Sequence, residues 1–283
     1  MNVNPLDALL LLSLATVLVG LAGLRLPLVG WLLALGYAVQ LYALFAMAGI
    51  AYEGGEAVSA AAWTILGQEL VWRYDALSWF FALITLGAAL PTAIYGAGEW
   101  ADRYREAGGS PGLVQAALAL NVFAMLVLFG SGDFLSLFIA WEWVSWAGFL
   151  LMALARPGAR DAALRYITYA TAGAMALLAA LALIHAHAGG FAYDAFWAVL
   201  PALGPGEVAI LFALFFMAFG IKLAVLPFHL WQARAYAETP GPGMAFLGAI
   251  SARVVSVWGC SSPRTSGRRW VSQTSRKISS ASA

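Results

Sequence analysis

Long apolar runs broken by short polar links set the pattern of this chain. A helix needs about 20 mostly apolar residues to cross the hydrocarbon of a bilayer. Eight segments reach that length, near residues 6–24, 27–50, 76–97, 113–130, 133–154, 163–186, 207–232 and 241–259. Arg25-Leu26-Pro27 separates the first run from the second, and Ser131-Gly132-Asp133 leaves only a tight link between the fourth and the fifth. Trp31, Trp72, Trp100 and Trp231 fall toward run ends, where an amphipathic ring favours the membrane boundary. The pattern predicts an all-α polytopic membrane protein of about eight transmembrane helices.

Charge then orients the spans. With the N-terminus outside, the inner links carry Arg25, Arg103, Arg105, Arg156, Arg160, Arg165 and Arg234, whereas the outer links carry Arg73 among mostly acidic groups (Glu53, Glu56, Glu69, Asp194, Glu207). Basic residues favour the cytoplasmic side, so the N-terminus is expected outside. The last segment breaks this rule. Residues 260–283 form a basic, serine-rich string with no acidic residue, of a composition expected to stay disordered. It reads either as a natural tail for an anionic surface or, preferably, as a chain that has left its reading frame or been cut short. The predicted organisation is helices one to three in 1–100, a five-helix unit in 113–259, and this tail.

Composition narrows the function. The chain is 63% hydrophobic and 10% charged, with a mean hydropathy of +0.83, more apolar surface than a soluble fold can hide. A net charge of +1 and the lack of a basic face outside the tail argue against nucleic acid. Cys260 is the single cysteine, and His185, His187 and His229 lack zinc-site spacing. No cleavable signal peptide is expected, because the first run is long and has no basic stretch before it. With no dinucleotide glycine fingerprint, no cysteine cluster and no histidine pair for haem, no cofactor is expected in this chain. Its links are too short for a catalytic domain, so it is not expected to be an enzyme by itself.

Two ionisable residues then stand out. Glu142 lies in FLSLFIAWEWVSWAGFLL and Lys222 in FFMAFGIKLAVLPFHLW. A charge at bilayer depth costs upwards of about 2.5 kcal/mol and persists mainly against protein or a wet cavity, usually on an ion path. One acid and one base on separate spans suggest a proton or cation relay. An approaching carboxylate holds the lysine's proton, and a retreating one releases it. The plainer alternatives are a structural hydrogen-bonded acid and a snorkelling lysine. Pro227, inside the predicted seventh helix, would free the Leu223 carbonyl one turn earlier and mark a helix break lined by protein or water. His229 lies seven residues beyond Lys222, on about the same face of that helix, and could pass protons onward. Arg253 in the eighth span could extend the line, while Arg165 and Glu238 are secondary candidates. Asp75 and Asp133 open spans, where a carboxylate suits a helix N-terminus. His185 and His187 fit the membrane edge.

These residues carry a resemblance. GIKLAVLPFHLWQARAYAETPGPG, GDFLSLFIAWEWVSWAGFLL, ALRYITYATAGAMALLAALALI and YDALSWFFALITL resemble the seventh, fifth, sixth and third helices of antiporter-like, proton-conducting membrane subunits. Such subunits occur in respiratory complex I, Mrp-type sodium/proton antiporters and membrane-bound hydrogenases. The resemblance spans residues 65 to 258. It implies that Glu142 and Lys222 are the paired fifth- and seventh-helix residues, that Pro227 marks a broken seventh helix, and that His229 joins a central hydrophilic path. Arg253 falls where the family commonly has a lysine; an arginine hardly deprotonates, which implies an electrostatic part. Family members have about 14 helices with two inverted five-helix repeats, and this chain contains one repeat.

The expectation is therefore a multi-pass subunit of a bacterial or archaeal cell membrane, moving protons or sodium ions within a larger redox-driven or antiporter complex. Its partners would be other membrane subunits and the bilayer. One rival is a standalone secondary transporter, which would spread more polar residues over several spans. The other is a structural or truncated, non-functional subunit, in which Glu142 and Lys222 could be neutralised without consequence.

Overall fold

Apolar runs that must satisfy every backbone group without water fold as helices. The computed structural model, described for residues 4–61, 63–65, 67–154 and 159–250, is built almost wholly of them. In chain order the helices are α1 (Pro5–Ala22), α2 (Val29–Ala46), α3 (Ala76–Ala97), α4 (Glu99–Glu106), α5 (Pro111–Phe129), α6 (Phe134–Ala153), α7 (Ala159–Ala188), α8 (Tyr193–Val199), α9 (Pro205–Lys222), α10 (Gln232–Glu238) and α11 (Gly241–Ile250). Among the described residues seven segments are long and apolar enough to cross a membrane: α1, α2 with its extension to Gly54, α3, α5, α6, α7 and α9. The chain is a multi-pass membrane protein. The predicted eighth span begins with α11, and its remainder, with Arg253 and the basic tail, lies outside the described residues.

Helix starts are fixed by side chains placed as the sequence suggests. Asp75 accepts from the Ser78 amide at 2.8 Å, and Asp133 accepts from the Leu135 and Ser136 amides, each at 2.8 Å. These caps satisfy amides that the helix itself leaves open. The α2–α3 connection holds short strands that hydropathy did not suggest. β1 (Ala57–Val58) pairs antiparallel with β4 (Arg73–Tyr74), and β2 (Trp63–Ile65) with β3 (Gln68–Leu70). Backbone bonds tie this connection to the neighbouring links: Gly132 N–H donates to Val71 O, Arg73 N–H to Gly130 O, and Phe134 N–H to Phe191 O. The side chain of Asp133 also accepts from the Val71 amide at 2.8 Å.

Packing places α5 at the centre, buried along nearly its whole length and in contact with α1, α2, α3, α4 and α6. Apolar area gives little drive between helices in lipid, so small residues and buried hydrogen bonds do more of the joining. A Cβ at Gly112 would lie 2.1 Å from the Leu24 carbonyl oxygen, so the α1–α2 turn sits directly on the first turn of α5. Gln40 donates to Thr16 Oγ1 at 2.8 Å, and Gln115 to Ala93 O at 3.0 Å. Farther along, α6, α7 and α9 pack in sequence, with α10 against α7 and α11 against α3.

The seventh span departs from the expected geometry. α9 ends at Lys222, well short of the predicted residue 232 and before Pro227 is reached. Ala224 takes a left-handed conformation (φ 52°), the Val225 amide donates to Gly220 O at 2.9 Å, and the Ala224 amide to Ile221 O at 3.1 Å. This is a Schellman ending, in which the last carbonyls fold back onto the following amides. The chain resumes as a short turn of 3₁₀-helix at Phe228–Trp231 and then as α10. The Trp231 indole donates to Ile221 O at 3.0 Å, tying the second segment to the end of the first. Pro227 thus stands in the linker between two helical pieces rather than inside one helix.

Candidate functional site

The end of α9 brings Lys222 inward against α6. Its side chain is 7% exposed. Nζ donates to Ser145 Oγ at 2.9 Å and lies 5.1 Å from the centre of the Trp141 ring, within the range at which a ring face attracts a cation. Ser145 donates its own proton to Trp141 O, one turn back, at 2.9 Å. Trp141 and Ser145 are four residues apart on one helix, so both meet the same neighbour. That spacing aims a π-face and a hydroxyl at one ammonium.

Glu142 occupies the same turn of α6, three residues before Ser145, and is half-buried. It is close enough to Lys222 for each to act electrostatically on the other, yet among the described residues they form no direct ion pair. One carboxylate oxygen, Oε1, is buried with no hydrogen-bond partner among those residues. The flanking Trp143 and Trp146 are exposed, so Glu142 lies toward the rim of the bundle while Lys222 faces its interior.

On its interior side Lys222 borders a small cavity of about 20 Å³, lined also by Asn121, Met125, Gly148, Tyr166 and Tyr236. The Tyr166 hydroxyl interacts with Ser145, and its ring packs on Trp231 with centres 4.9 Å apart. Five further helices (α5, α6, α7, α10 and α11) and the turn after α9 thus line the cavity beside this lysine.

The other sequence-predicted residues are placed apart from this centre. His229 lies exposed on the 3₁₀ turn; because α9 ends at Lys222, the two do not share a helix face. Pro227 is exposed in the linker, Arg165 is exposed on α7, and Glu238 is half-buried at the end of α10. Arg253 lies outside the described residues. His187 meets Glu207 at 3.1 Å, at the outer ends of α7 and α9 by the predicted orientation. Ser145, Asn121, Tyr166 and Tyr236 do not stand out in the sequence. Ser145 had a signal, a polar residue one turn from Glu142; an asparagine in the middle of α5 had another.

Known proteins share part of this sequence and most of its fold. Residues 131–261 match the family model described as NADH:quinone oxidoreductase/Mrp antiporter, transmembrane. NADH-quinone oxidoreductase subunit N of Desulforudis audaxviator is 33% identical over 144 residues, covering 50% of this chain and 29% of that protein. NAD(P)H-quinone oxidoreductase subunit 2 of Synechococcus sp. is 32% identical over 173 residues, covering 59% of this chain and 32% of that one. An uncharacterised protein of Mycobacterium tuberculosis is 33% identical over 177 residues, with 62% and 26% covered. The matched region is thus between 26% and 32% of the length of these relatives. Among solved structures, the archaeal membrane-bound sulfane sulfur reductase superposes with a TM-score of 0.75 at 25% identity, covering 89% of this chain and 39% of that one. The Mrp complex of Dietzia sp. gives 0.74 at 25% identity, with 88% and 27% covered. Respiratory complex I of Thermus thermophilus shares the fold, with a TM-score of 0.67 at 22% identity. The chain carries the fold of antiporter-like membrane subunits, and its residues 131–261 are similar to the transmembrane family of NADH:quinone oxidoreductases and Mrp antiporters.

Proposed function

We propose that this chain is an ion-translocating element of a multisubunit membrane assembly, with Lys222 as the group that takes up and releases a proton and Glu142 as its counter-charge. The single observation that carries this reading is a buried lysine at a helix break, held by a serine hydroxyl one turn from a carboxylate on the neighbouring span. A buried ammonium is costly unless paired, so its proton is held or lost according to the carboxylate's approach. Small shifts of α6 against α9 would therefore switch the lysine between loading and release. A carboxylate and an amine exchange protons directly, which favours protons over sodium ions. Onward transfer is assigned to His229, exposed on the turn after the break, with Arg253 acting electrostatically and Pro227 shaping the linker. Arg165 and Glu238 are subsidiary, and the relay uses no redox cofactor of its own. The multisubunit complexes in which the structural neighbours occur support other membrane subunits as partners, and the arginine-rich links support an outside N-terminus.

Proton uptake by energised membrane vesicles tests the reading. Glu142→Gln and Lys222→Ala are each expected to cut uptake at least tenfold, with the protein still present in the membrane. Unaltered uptake in both would assign the chain a structural part instead.

A further inference from the structure

Asn121 occupies the middle of α5, the most enclosed helix of the bundle, and is itself fully buried. Neither its amide nitrogen nor its carbonyl oxygen has a hydrogen-bond partner among the described residues. Leaving both ends of a buried amide unpaired is destabilising, a cost that leucine at the same position would not carry. The surrounding positions of α5, Leu118, Val122, Ala124 and Met125, are all apolar. Nothing in local helix formation calls for asparagine here.

Its surroundings supply a reason. Asn121 lines the cavity of about 20 Å³ that also borders Lys222. A water needs a space of at least about 10–15 Å³ and two to four polar partners. This space meets the first condition. Its exposed lining is almost wholly apolar, and Asn121, Lys222, Tyr166 and Tyr236 are the wall residues whose polar groups a water there would engage. Asn121 and Met125 of α5 and Leu247 of α11 are among the cavity's walls, and Glu142 is not one of its lining residues. A water there would contact the lysine without contacting its counter-charge. An amide is well matched to such a water, because it donates and accepts, carries no charge, and leaves the titration to its neighbour.

We propose that Asn121 holds an internal water against Lys222 and so positions the group that accepts the lysine's proton. In balanced form, an N–H bond of the ammonium breaks with its electron pair left on nitrogen, the amine becomes neutral, and the proton forms a third O–H bond on the water, which carries the charge as hydronium. Asn121 is a positioning residue: it acts through the water and exchanges no proton itself.

The inference rests on the translocation reading above, so the test separates the two. Proton uptake and thermal midpoint are measured for Asn121→Leu, Asn121→Ser and Lys222→Ala in the membrane-embedded protein. Expected for Asn121→Leu are a midpoint equal to or above that of the parent, because the unpaired amide is gone, and uptake at least fivefold slower. Asn121→Ser, smaller and still polar, should keep more than half of the parent rate by admitting a water in place of the missing amide. Parent-level uptake in Asn121→Leu alongside lost uptake in Lys222→Ala overturns the water site and leaves the translocation reading standing. Equal losses in the leucine and serine variants also overturn it, since the polar group would then not matter. Parent-level uptake in Lys222→Ala overturns both. If Asn121→Leu does not accumulate, the serine variant decides with Asn121→Ala, which removes the polar group without adding bulk: equal rates in those two overturn the proposal.

Discussion

At the scale of single residues, the site depends on a hydroxyl that serves two neighbours. Ser145 accepts from Lys222 while donating to Trp141 O, so its removal leaves a buried ammonium without its nearest oxygen. Ser145→Ala should cost about 1–3 kcal/mol of stability and slow proton uptake several-fold, whereas Ser145→Thr, which keeps the oxygen, should lose little of either. Thermal melts and vesicle uptake measured on the same preparations check this. Glu142 and Lys222 were legible in the sequence because a charge in a long apolar run has few explanations. Ser145 and Asn121 were less so, since serine and asparagine are cheap enough in a span to escape notice until their partners, or the want of them, are seen. His229 shows the opposite error: its seven-residue spacing from Lys222 implied a shared face only for an unbroken helix.

At the scale of helices, most boundaries followed from hydropathy. α3 runs from Ala76 to Ala97 as predicted, and α6 begins after the Asp133 cap. That the seventh helix breaks was legible from Pro227, but the place where α9 ends was hidden for an identifiable reason. A Schellman ending usually advertises itself with glycine at the left-handed position, and here that position is Ala224. The apolar pattern continues through Leu223, Ala224, Val225 and Leu226, so hydropathy alone runs on to Trp231. An L-residue in that conformation costs about 1–2 kcal/mol. Ala224→Gly should therefore leave the midpoint unchanged or raise it by up to about 1 kcal/mol, allowing for glycine's greater unfolded freedom. Ala224→Val, with a branched Cβ, should lower it by at least that much. Equal midpoints for the glycine and valine variants would show that no left-handed ending terminates α9. The short strands between α2 and α3 were invisible for a different reason: they are two or three residues long and held by pairing to other links, not by alternation of their own.

At the scale of the whole molecule, the paired strands gather with the α5–α6 and α7–α8 links, while α4 and the α1–α2 turn lie at the other end. In the proposed orientation the first end lies outside. Cysteines placed at Glu56 and Arg103, after Cys260→Ser, should then react differently with a membrane-impermeant thiol reagent: position 56 in intact cells, position 103 only after the membrane is opened. The reverse pattern would invert the topology and with it the direction of the proposed transfer.

The break after α9 has one more consequence. A helix gathers roughly half a negative charge at its C-terminus from aligned peptide dipoles, and Lys222 is the last residue of α9. The ammonium therefore sits at the negative pole of its own helix, and an unbroken span would have moved that pole two turns farther on. Lys222 thus has a fixed partial counterion that does not move with α6. The lysine can keep its place in the bundle when Glu142 is neutral or withdrawn, which is why Glu142→Gln should impair movement of protons while leaving a folded protein in the membrane.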